Sequence, residues 1–197
     1  AGSGRASVTM ASNVADAITV AALLADAKAT GLASLDAQLL LARATGLSRA
    51  QLLAFGEQAV MPDAAKRFID ECRRRLQGEP LAYIEGRKEF WLLELAVTPD
   101  TLVPRPETER LVELCLARLP ASTQRVADLG TGSGAIALAL AHERPAWQIT
   151  ATDASAGALA TARDNAARLR LHNIAFRQGS WCTALSGAPF DAIVSNP

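Results

Sequence analysis

The segment ADLGTGSGAIALALA, residues 127–141, decides the fold of this 197-residue chain. An apolar run that begins just before it, RVADL over residues 125–129, predicts a buried strand, and the apolar stretch at its end predicts a helix. Gly130, Gly132 and Gly134 lie between the two, where glycine lets the backbone turn sharply and approach a ligand closely. The first turn of the following helix supplies unpaired N–H groups, so the segment predicts a ligand-binding strand–loop–helix unit.

Strand and helix continue to alternate through the rest of the chain. A helix is predicted over residues 107–118, ahead of the first strand, and QITAT leads a second strand to Asp153. A helix over residues 156–171 follows, and IAFRQ and DAIVS predict two further strands, over residues 174–178 and 191–195. This alternation predicts the α/β class, with a Rossmann-like, doubly wound parallel sheet. Because only four strands are recognisable, we expect the sheet to be incomplete at the C-terminus.

The first part of the chain predicts a small helical bundle. Ser48 and Gln51, in the sequence SRAQ, fit a capping box at the start of a helix. Leu35, Leu39 and Ala42 recur at helical spacing, which predicts that they face the core. Basic residues of the last helix lie mostly on its other faces and predict either a solvated surface or a docking patch for an acidic or RNA-bound partner: Lys66, Arg67, Arg73, Arg74 and Arg75.

A change in composition near residue 78 marks the end of the bundle. Prolines, glycines and β-forming residues replace the alanine-rich sequence in GEPLAYIEGRKEFWLLELAVTPDTLVPRPETE. We therefore predict a helical domain over residues 10–85, a hairpin linker over residues 86–104 and the α/β domain over residues 105–197. The hairpin is expected to turn at Leu93 and Glu94.

The composition narrows the classes of function. Twenty basic residues balance twenty acidic ones, so no overall positive charge favours nucleic-acid binding. The three cysteines are far apart and the chain has only two histidines, which argues for free thiols in a reducing compartment and against a metal site. No apolar stretch approaches the roughly 20 residues of a membrane span. We therefore expect a cytoplasmic protein without a metal ion.

The glycine loop and the acid after the second strand predict an adenosine-containing cofactor. Asp153 stands where a carboxylate can accept both hydroxyls of an adenosine ribose. Gly130-x-Gly132-x-x-Ala135 also fits the loose dinucleotide pattern, which leaves NAD as an alternative. Asp128 argues against NAD, because an acid inside the motif would repel a pyrophosphate but could hold a cationic or amino-acid group.

Asn196 and Pro197 directly follow the fourth strand and complete a wider pattern. Together with D-x-G-x-G-x-G and the acid after strand two, these two residues form a pattern that resembles class I S-adenosylmethionine-dependent methyltransferases. The branch of that class that methylates amide or amino nitrogens carries N-P-P-Y at this point. GEPLAYIEGRKEFW, LVPRPETE and DLGTGSGAIALALA, behind a helical domain, are similar to the HemK/PrmC family, the protein-glutamine N5-methyltransferases of peptide-chain release factors. The resemblance runs from about residue 14 to the end and implies a C-terminally truncated chain.

The resemblance implies a set of cofactor-binding residues. The glycine loop would hold the methionine part of S-adenosyl-L-methionine, Asp153 the ribose and Trp181 the adenine. A lone tryptophan is equally compatible with core packing. Family members commonly carry an acid before this tryptophan, and Ser180 stands there instead, a departure that bears on the hydrogen bond to the adenine amino group. The complete implied set is Asp128, Gly130, Thr131, Gly132, Ser133, Gly134, Asp153 and Trp181.

The resemblance also implies a substrate site. Asn196 and Pro197 are its catalytic and substrate-binding residues, and Arg105 and Glu107, from the more specific P-R-P-E-T-E segment, are further substrate-binding residues. An amide nitrogen is a poor nucleophile because its lone pair is delocalised into the carbonyl. The Asn196 side-chain oxygen and the Pro197 carbonyl would accept both N–H bonds of a glutamine amide, aim its nitrogen at the methyl group and stabilise the growing positive charge.

We therefore predict a small helical bundle followed by a Rossmann-like methyltransferase domain. It would methylate the glutamine in the Gly-Gly-Gln loop of release factors, as a monomer whose helical domain grips that partner. One alternative is an adenine-N6 DNA methyltransferase, because the amino group of adenine resembles an amide; the neutral net charge argues against it. The other is a non-catalytic cofactor-binding fragment.

Overall fold

The computed structural model describes residues 18–185, 187 and 189–196, so Pro197 lies outside the described residues. The chain divides into two compact units between Glu79 and Pro80. No helix in these ranges combines the length and the apolar character needed to cross a membrane. The hairpin predicted as a linker is part of the second unit.

The first unit is built from helices. They are α1 Val20–Ala29, α2 Ser34–Thr45, α3 Arg49–Ala54 and α4 Pro62–Leu76. The capping box predicted before α3 is confirmed, with Gln51 N donating to Ser48 Oγ at 3.2 Å and Ser48 N donating to Gln51 Oε1 at 2.9 Å. The largest buried apolar side chains of the unit are those of Val20, Leu40, Leu41, Leu52 and Phe68.

The apolar stripe predicted for α2 is wrong. Leu35 is 50% exposed, and the buried residues of α2 are Ala37, Leu40, Leu41 and Ala44. Leucines at positions 35, 39, 40 and 41 cover most of the circumference of the helix, so its sequence is compatible with more than one buried face. Contacts with α1, α3 and α4 decide which face is buried.

Most of the basic residues of α4 form ion pairs inside the first unit. Lys66 and Arg73 both contact Asp70, at 3.1 and 2.9 Å. The remaining pairs are Arg74 with Glu79 at 2.5 Å and Arg75 with Asp36 at 2.8 Å, and Glu71 on the same helix pairs with Arg43. This pairing neutralises much of the positive charge and favours the solvated-surface interpretation over a basic docking patch.

The second unit opens with helix α5 Leu81–Glu85 and an antiparallel hairpin of β1 Arg87–Phe90 and β2 Leu93–Ala96. Phe90 pairs with Leu93, so the turn lies at Trp91 and Leu92 and the predicted turn at Leu93 and Glu94 is wrong. Both turn residues have positive φ, of 51° and 60°. Burial of Phe90, Leu93 and Leu95 fixes the register.

The remaining elements form the predicted α/β domain. They are α6 Glu109–Arg118, β3 Arg125–Leu129, α7 Ala135–Glu143, β4 Gln148–Asp153, α8 Ala156–Arg168, β5 Ile174–Gln178 and β6 Ala192–Ser195, with short 3-10 helices at Pro106–Thr108 and Trp181–Ala184. The strands are parallel in the order β5-β4-β3-β6. This order confirms the Rossmann-like fold class.

The strand order reverses at β3, and this reversal positions the site. The chain moves outward from β3 through β4 to β5 and then returns to place β6 on the other side of β3. Leu129 is aligned with Thr152 of β4 and with Ser195 of β6. The residues that follow β3 and β6, Gly130 and Asn196, therefore lie side by side at the carboxyl edge, where open α/β sheets bind their ligands.

Candidate functional site

The glycine loop after β3 depends on backbone conformations that glycine adopts easily. Gly130, Gly132 and Gly134 have φ of 69°, 56° and 87°. A Cβ on Gly134 would lie 2.8 Å from Leu138 Cδ1 and 3.2 Å from Ala162 Cβ, so this glycine allows close packing of α7 on α8. A Cβ on Gly130 would meet nothing within 4 Å, because Gly130 faces the open space of the site.

A buried asparagine of α8, Asn165, fixes the glycine loop by hydrogen bonds. Asn165 Nδ2 donates to the carbonyl oxygens of Ser133 at 2.9 Å and Ala96 at 3.0 Å. Its Oδ1 accepts from the Ala96 N–H at 2.7 Å and from Arg168 at 3.0 Å. Both donors and both acceptor positions of the amide are used. Asn165 therefore connects the glycine loop to strand β2.

Asp128 is a buried carboxylate beneath the loop. Its Oδ2 accepts from Thr131 Oγ1 at 2.6 Å and from the Ala137 N–H at 3.3 Å, while Oδ1 accepts no hydrogen bond from a described residue. The pKa of Asp128 is raised to about 6: burial raises it most, the two hydrogen bonds to Oδ2 lower it, and the charge of Asp153 also raises it. The free Oδ1 makes Asp128 a buried acceptor that still lacks a donor.

Asp153 ends β4 on the other side of the loop. Its Oδ2 accepts from the Gly132 N–H at 2.9 Å and its Oδ1 accepts from the Ser155 N–H, also at 2.9 Å. These two bonds fix the orientation of the carboxylate. Each oxygen keeps a second lone pair, so the group retains the capacity to accept a bond from a ligand hydroxyl.

A cavity of about 210 Å³ opens beside Asp153. Its lining comes from the carboxyl ends of β3, β4 and β6 and from the segment after β5: Leu129, Gly130, Asp153, Ala154, Gly179, Ser180, Trp181 and Ser195. Trp181 is 63% exposed, so the interpretation of this side chain as ordinary core packing is wrong. An indole at the rim of a cavity offers an apolar face to a planar ligand.

A smaller cavity of about 40 Å³ lies between the glycine loop, residues 102–108 and Asn196. Arg105 is exposed and lines this cavity, whereas Glu107 is exposed and does not. Neither side chain forms a hydrogen bond or an ion pair within the described part of the chain. Asn196 Nδ2 donates to the hydroxyl of Thr108, with Nδ2 and Oγ1 2.7 Å apart.

The predicted site residues thus fall into two adjoining groups. Gly130, Asp153 and Trp181 line the larger cavity. The smaller cavity is lined by Arg105, Asp128, Gly130, Thr131, Gly132, Ser133 and Asn196. Gly130 lines both cavities, Gly134 and Glu107 line neither, and Pro197 is not described. Among the described residues no three His, Cys, Asp or Glu side chains converge in a way that could hold a metal ion.

Sequence reasoning missed three residues that support this site. Thr108 holds the Asn196 amide, Asn165 holds the Ser133 carbonyl, and Ser195 Oγ donates to the Leu129 carbonyl at 2.9 Å, which ties β6 to β3. Thr108 belongs to the distinctive P-R-P-E-T-E segment, and that motif was a usable signal. The other two act through contacts over long sequence separations, for which the residue pattern holds no signal.

Comparison with known proteins identifies both parts of the chain. Residues 17–86 match the PrmC N-terminal domain, and residues 108–197 match the Methyltransferase small domain. The release factor glutamine methyltransferases of Salmonella typhimurium and Coxiella burnetii are each 52% identical, over 82% and 83% of this chain. The enzyme of the same name from Escherichia coli is 49% identical over 82%. The chain spans 58%, 59% and 58% of the length of these relatives.

A solved structure resembles the chain over a shorter region. The ribosomal protein L11 methylase of Lactobacillus delbrueckii subsp. bulgaricus is 35% identical, and the match covers 47% of each chain with a TM-score of 0.42. The fold assignment rests on the strand order and register of the chain itself.

Proposed function

The chain belongs to the release factor glutamine methyltransferase family, and we propose that the complete protein methylates the side-chain amide nitrogen (N5) of the glutamine in the Gly-Gly-Gln loop of peptide-chain release factors. The names of relatives at 49–52% identity support this activity. The structural observation that carries the proposal is the pairing of β6 with β3, which brings Asn196 beside Gly130 at the reversal of strand order. The runner-up, DNA adenine methylation, is not favoured.

S-adenosyl-L-methionine is the proposed cofactor, and the described residues fit it. Gly130 has open space where a Cβ would stand, Asp153 has lone pairs for the ribose hydroxyls, and Asp128 Oδ1 is a buried acceptor without a donor. Trp181 would cover the adenine, and the remaining loop residues, Thr131, Gly132, Ser133 and Gly134, would hold the methionine part. When bound, the cofactor supplies an electrophilic methyl group on a sulfonium centre.

Asn196 would act on the substrate by position and charge. Its Oδ1 would accept one N–H of the glutamine amide, and the carbonyl of Pro197 would accept the other. Two acceptors fix the plane of the amide and direct its nitrogen toward the larger cavity. As the nitrogen gains the methyl group it becomes positive before it loses a proton to water, so both hydrogen bonds strengthen in the transition state.

The residues before the α/β domain, together with Arg105 and Glu107, would recognise the protein substrate. We assign partner binding to the helical domain over residues 10–85 and the linking role to the hairpin over residues 86–104. Arg105, which is exposed and lines the smaller cavity, and Glu107, which is exposed but does not line it, would contact the release factor. Such a substrate is a translation factor, so a cytoplasmic location follows, and we propose a monomer.

Transfer of a labelled methyl group tests the proposal directly. The complete protein is incubated with a release factor and S-adenosylmethionine that carries a labelled methyl group, and the modified residue is located by mass spectrometry. We expect one label on the glutamine of the Gly-Gly-Gln loop. A release factor in which this glutamine is replaced by alanine serves as the matched control and should take up none.

The rival functions predict different outcomes in the same assay. Label on DNA and none on the release factor would establish the adenine-N6 activity instead. Binding of cofactor without transfer to either substrate would indicate a non-catalytic protein. A thermal shift with NAD but none with S-adenosylmethionine would contradict the proposed cofactor.

A further inference from the structure

Thr108 makes a contact that links two elements far apart in the chain. It ends the 3-10 helix Pro106–Thr108, and its hydroxyl accepts a hydrogen bond from Nδ2 of Asn196 at 2.7 Å. We propose that Thr108 is a positioning residue that sets the orientation of the Asn196 amide. This inference rests on the proposed methylation of a glutamine amide and names a further residue that the reaction needs.

The orientation of the Asn196 amide decides its chemistry. Its two ends are nearly equal in size, but Oδ1 accepts hydrogen bonds whereas Nδ2 donates them. A substrate amide offers N–H donors, so only Oδ1 can hold it. If Nδ2 stood in that place, two N–H donors would face each other and no hydrogen bond could form. Because Nδ2 is bonded to Thr108, Oδ1 is left without a partner among the described residues and stays available.

A hydroxyl can donate as well as accept, and in this structure the hydroxyl of Thr108 accepts from Nδ2 of Asn196. Thr108 is well placed to hold the amide in this orientation because it is itself fixed. Its side chain is buried, and its N–H donates to the Arg105 carbonyl at 3.0 Å. Pro104 and Pro106 restrict the backbone on its N-terminal side. A buried hydroxyl on a rigid turn loses little entropy when it accepts a bond, which is the usual requirement for a residue that orients a functional side chain.

Asn196 is anchored independently from the other side. It follows β6, whose last residue, Ser195, is aligned with Leu129 and donates its hydroxyl proton to the Leu129 carbonyl at 2.9 Å. The backbone of Asn196 is thus set by the sheet, while rotation of its amide is left to the contact with Thr108. Removing the hydroxyl should therefore change the amide orientation and leave the strand in place.

Two substitutions in the complete protein separate this role from a structural one. Thr108→Val keeps the shape and removes the hydroxyl, while Thr108→Ser keeps the hydroxyl and removes a methyl group. We expect the valine variant to lose kcat for release-factor methylation by about 10- to 100-fold, the range in which misplacement of a reacting group acts. Its Kd for S-adenosylmethionine and its unfolding midpoint should match the wild type, and serine should restore kcat.

A second measurement needs neither cofactor nor substrate. In protein with ¹⁵N-labelled asparagine, Thr108→Val should shift the side-chain amide signals of Asn196, and Thr108→Ser should leave them near their wild-type positions. Wild-type kcat in the valine variant, or unchanged Asn196 signals, would overturn the inference. If the wild type fails to methylate release factor, the proposed function fails, and the NMR comparison alone then decides whether Thr108 orients Asn196.

Discussion

Asn165 donates a hydrogen bond to the carbonyl oxygen of Ser133 at 2.9 Å, and the same side chain bonds both backbone polar groups of Ala96. One residue of α8 thereby joins the glycine loop to the β1–β2 hairpin. The loop is fixed from the side away from the cavities, so its shape depends on a residue that a ligand in the larger cavity would not touch.

Substitution of Asn165 should affect both stability and cofactor binding. Asn165→Ala leaves the Ser133 carbonyl and both Ala96 groups without partners, and we expect a loss of about 2–4 kcal/mol in the free energy of unfolding. The freed loop should also bind S-adenosylmethionine more weakly. Urea unfolding and calorimetric titration measure the two effects.

Asn173 offers a matched control for this prediction. Its Nδ2 donates to the carbonyls of Ala141, in the last turn of α7, and of Arg144 and Trp147, just beyond it, at 3.1–3.3 Å. This end of α7 lies away from the glycine loop. Asn173→Ala should lower stability and leave cofactor affinity unchanged. Equal effects of the two substitutions on affinity would contradict a specific role for Asn165.

Trp181 should matter for binding and little for stability. Its side chain is 63% exposed at the rim of the larger cavity, so Trp181→Ala removes little buried surface. We expect the free energy of unfolding to change by less than about 0.5 kcal/mol, as for most surface substitutions. Loss of a stacking partner should weaken cofactor binding by about 1 kcal/mol, or roughly fivefold in Kd.

Phenylalanine and a second tryptophan provide the controls. Trp181→Phe should retain most of the affinity, since an aromatic face remains. Trp147 is fully buried and donates from Nε1 to the Pro120 carbonyl at 3.1 Å, so Trp147→Phe should lower stability instead. Full affinity in the Trp181→Ala variant would show that the indole does not contact the cofactor.

The buried carboxyl of Asp128 predicts a pH dependence of stability. Its pKa is raised from 3.8 to about 6 in the folded protein, so folding takes up a proton between these two values. The favourable contribution of this group is complete below pH 3.8, is lost progressively as the pH rises, and is gone above about pH 6. Other carboxylates add their own slopes, so the comparison must be made with a variant.

Asp128→Asn removes the titrating group and keeps its size. The free energies of unfolding of wild type and variant, measured by urea titration across this range, should diverge. Relative to the wild type, the variant should become more stable as the pH rises toward 6. Above that value the difference between the two free energies of unfolding should stay constant. A difference that does not change with pH would contradict the raised pKa.

The hairpin turn predicts a stabilising substitution. Leu92 is 92% exposed and has φ of 60°, a conformation that costs a non-glycine residue roughly 1 kcal/mol. Leu92→Gly should therefore raise the free energy of unfolding by up to about 1 kcal/mol. Leu102 is also exposed but its φ is not positive, so Leu102→Gly should give no gain. If the Leu92→Gly variant is less stable than the wild type, the positive φ of Leu92 does not strain the turn.

The sequence predicted the strands of the α/β domain well where a short run of apolar residues is bounded by glycine or polar residues. The first and third strands occupy residues 125–129 and 174–178, as predicted, and the fourth begins one residue later than expected. The strand at residues 125–129 is largely buried, and glycine ends it abruptly. The strand at residues 174–178 lies at the edge of the sheet, is half-buried or exposed, and was marked by its β-forming residues Ile174 and Phe176. The same local information defined the capping box at Ser48.

Prediction failed where distant residues decide the structure. Trp91 and Leu92 have none of the usual turn chemistry, and the turn is stabilised from afar: Glu109 accepts from Trp91 N and Glu143 from Trp91 Nε1, both at 2.9 Å. Asn165 was missed for the same reason, and the P-R-P-E-T-E motif marked the segment of Thr108 but not its contact with Asn196. Their partners, Asn196, Ser133 and Ala96, are close only after the sheet has formed.

The return of the chain from β5 to β6 also sets an order of events during synthesis. The residues that line the larger cavity come from β3, β4 and the segment after β5, apart from Ser195 of β6. Asn196 can reach its neighbours only after β6 has been made and has paired with β3, a contact of long sequence separation that forms slowly. A nascent chain can therefore assemble most of the larger cavity before Asn196, the proposed acceptor for the substrate amide, is in place. The proposed capacity to bind cofactor would then precede the proposed capacity to react.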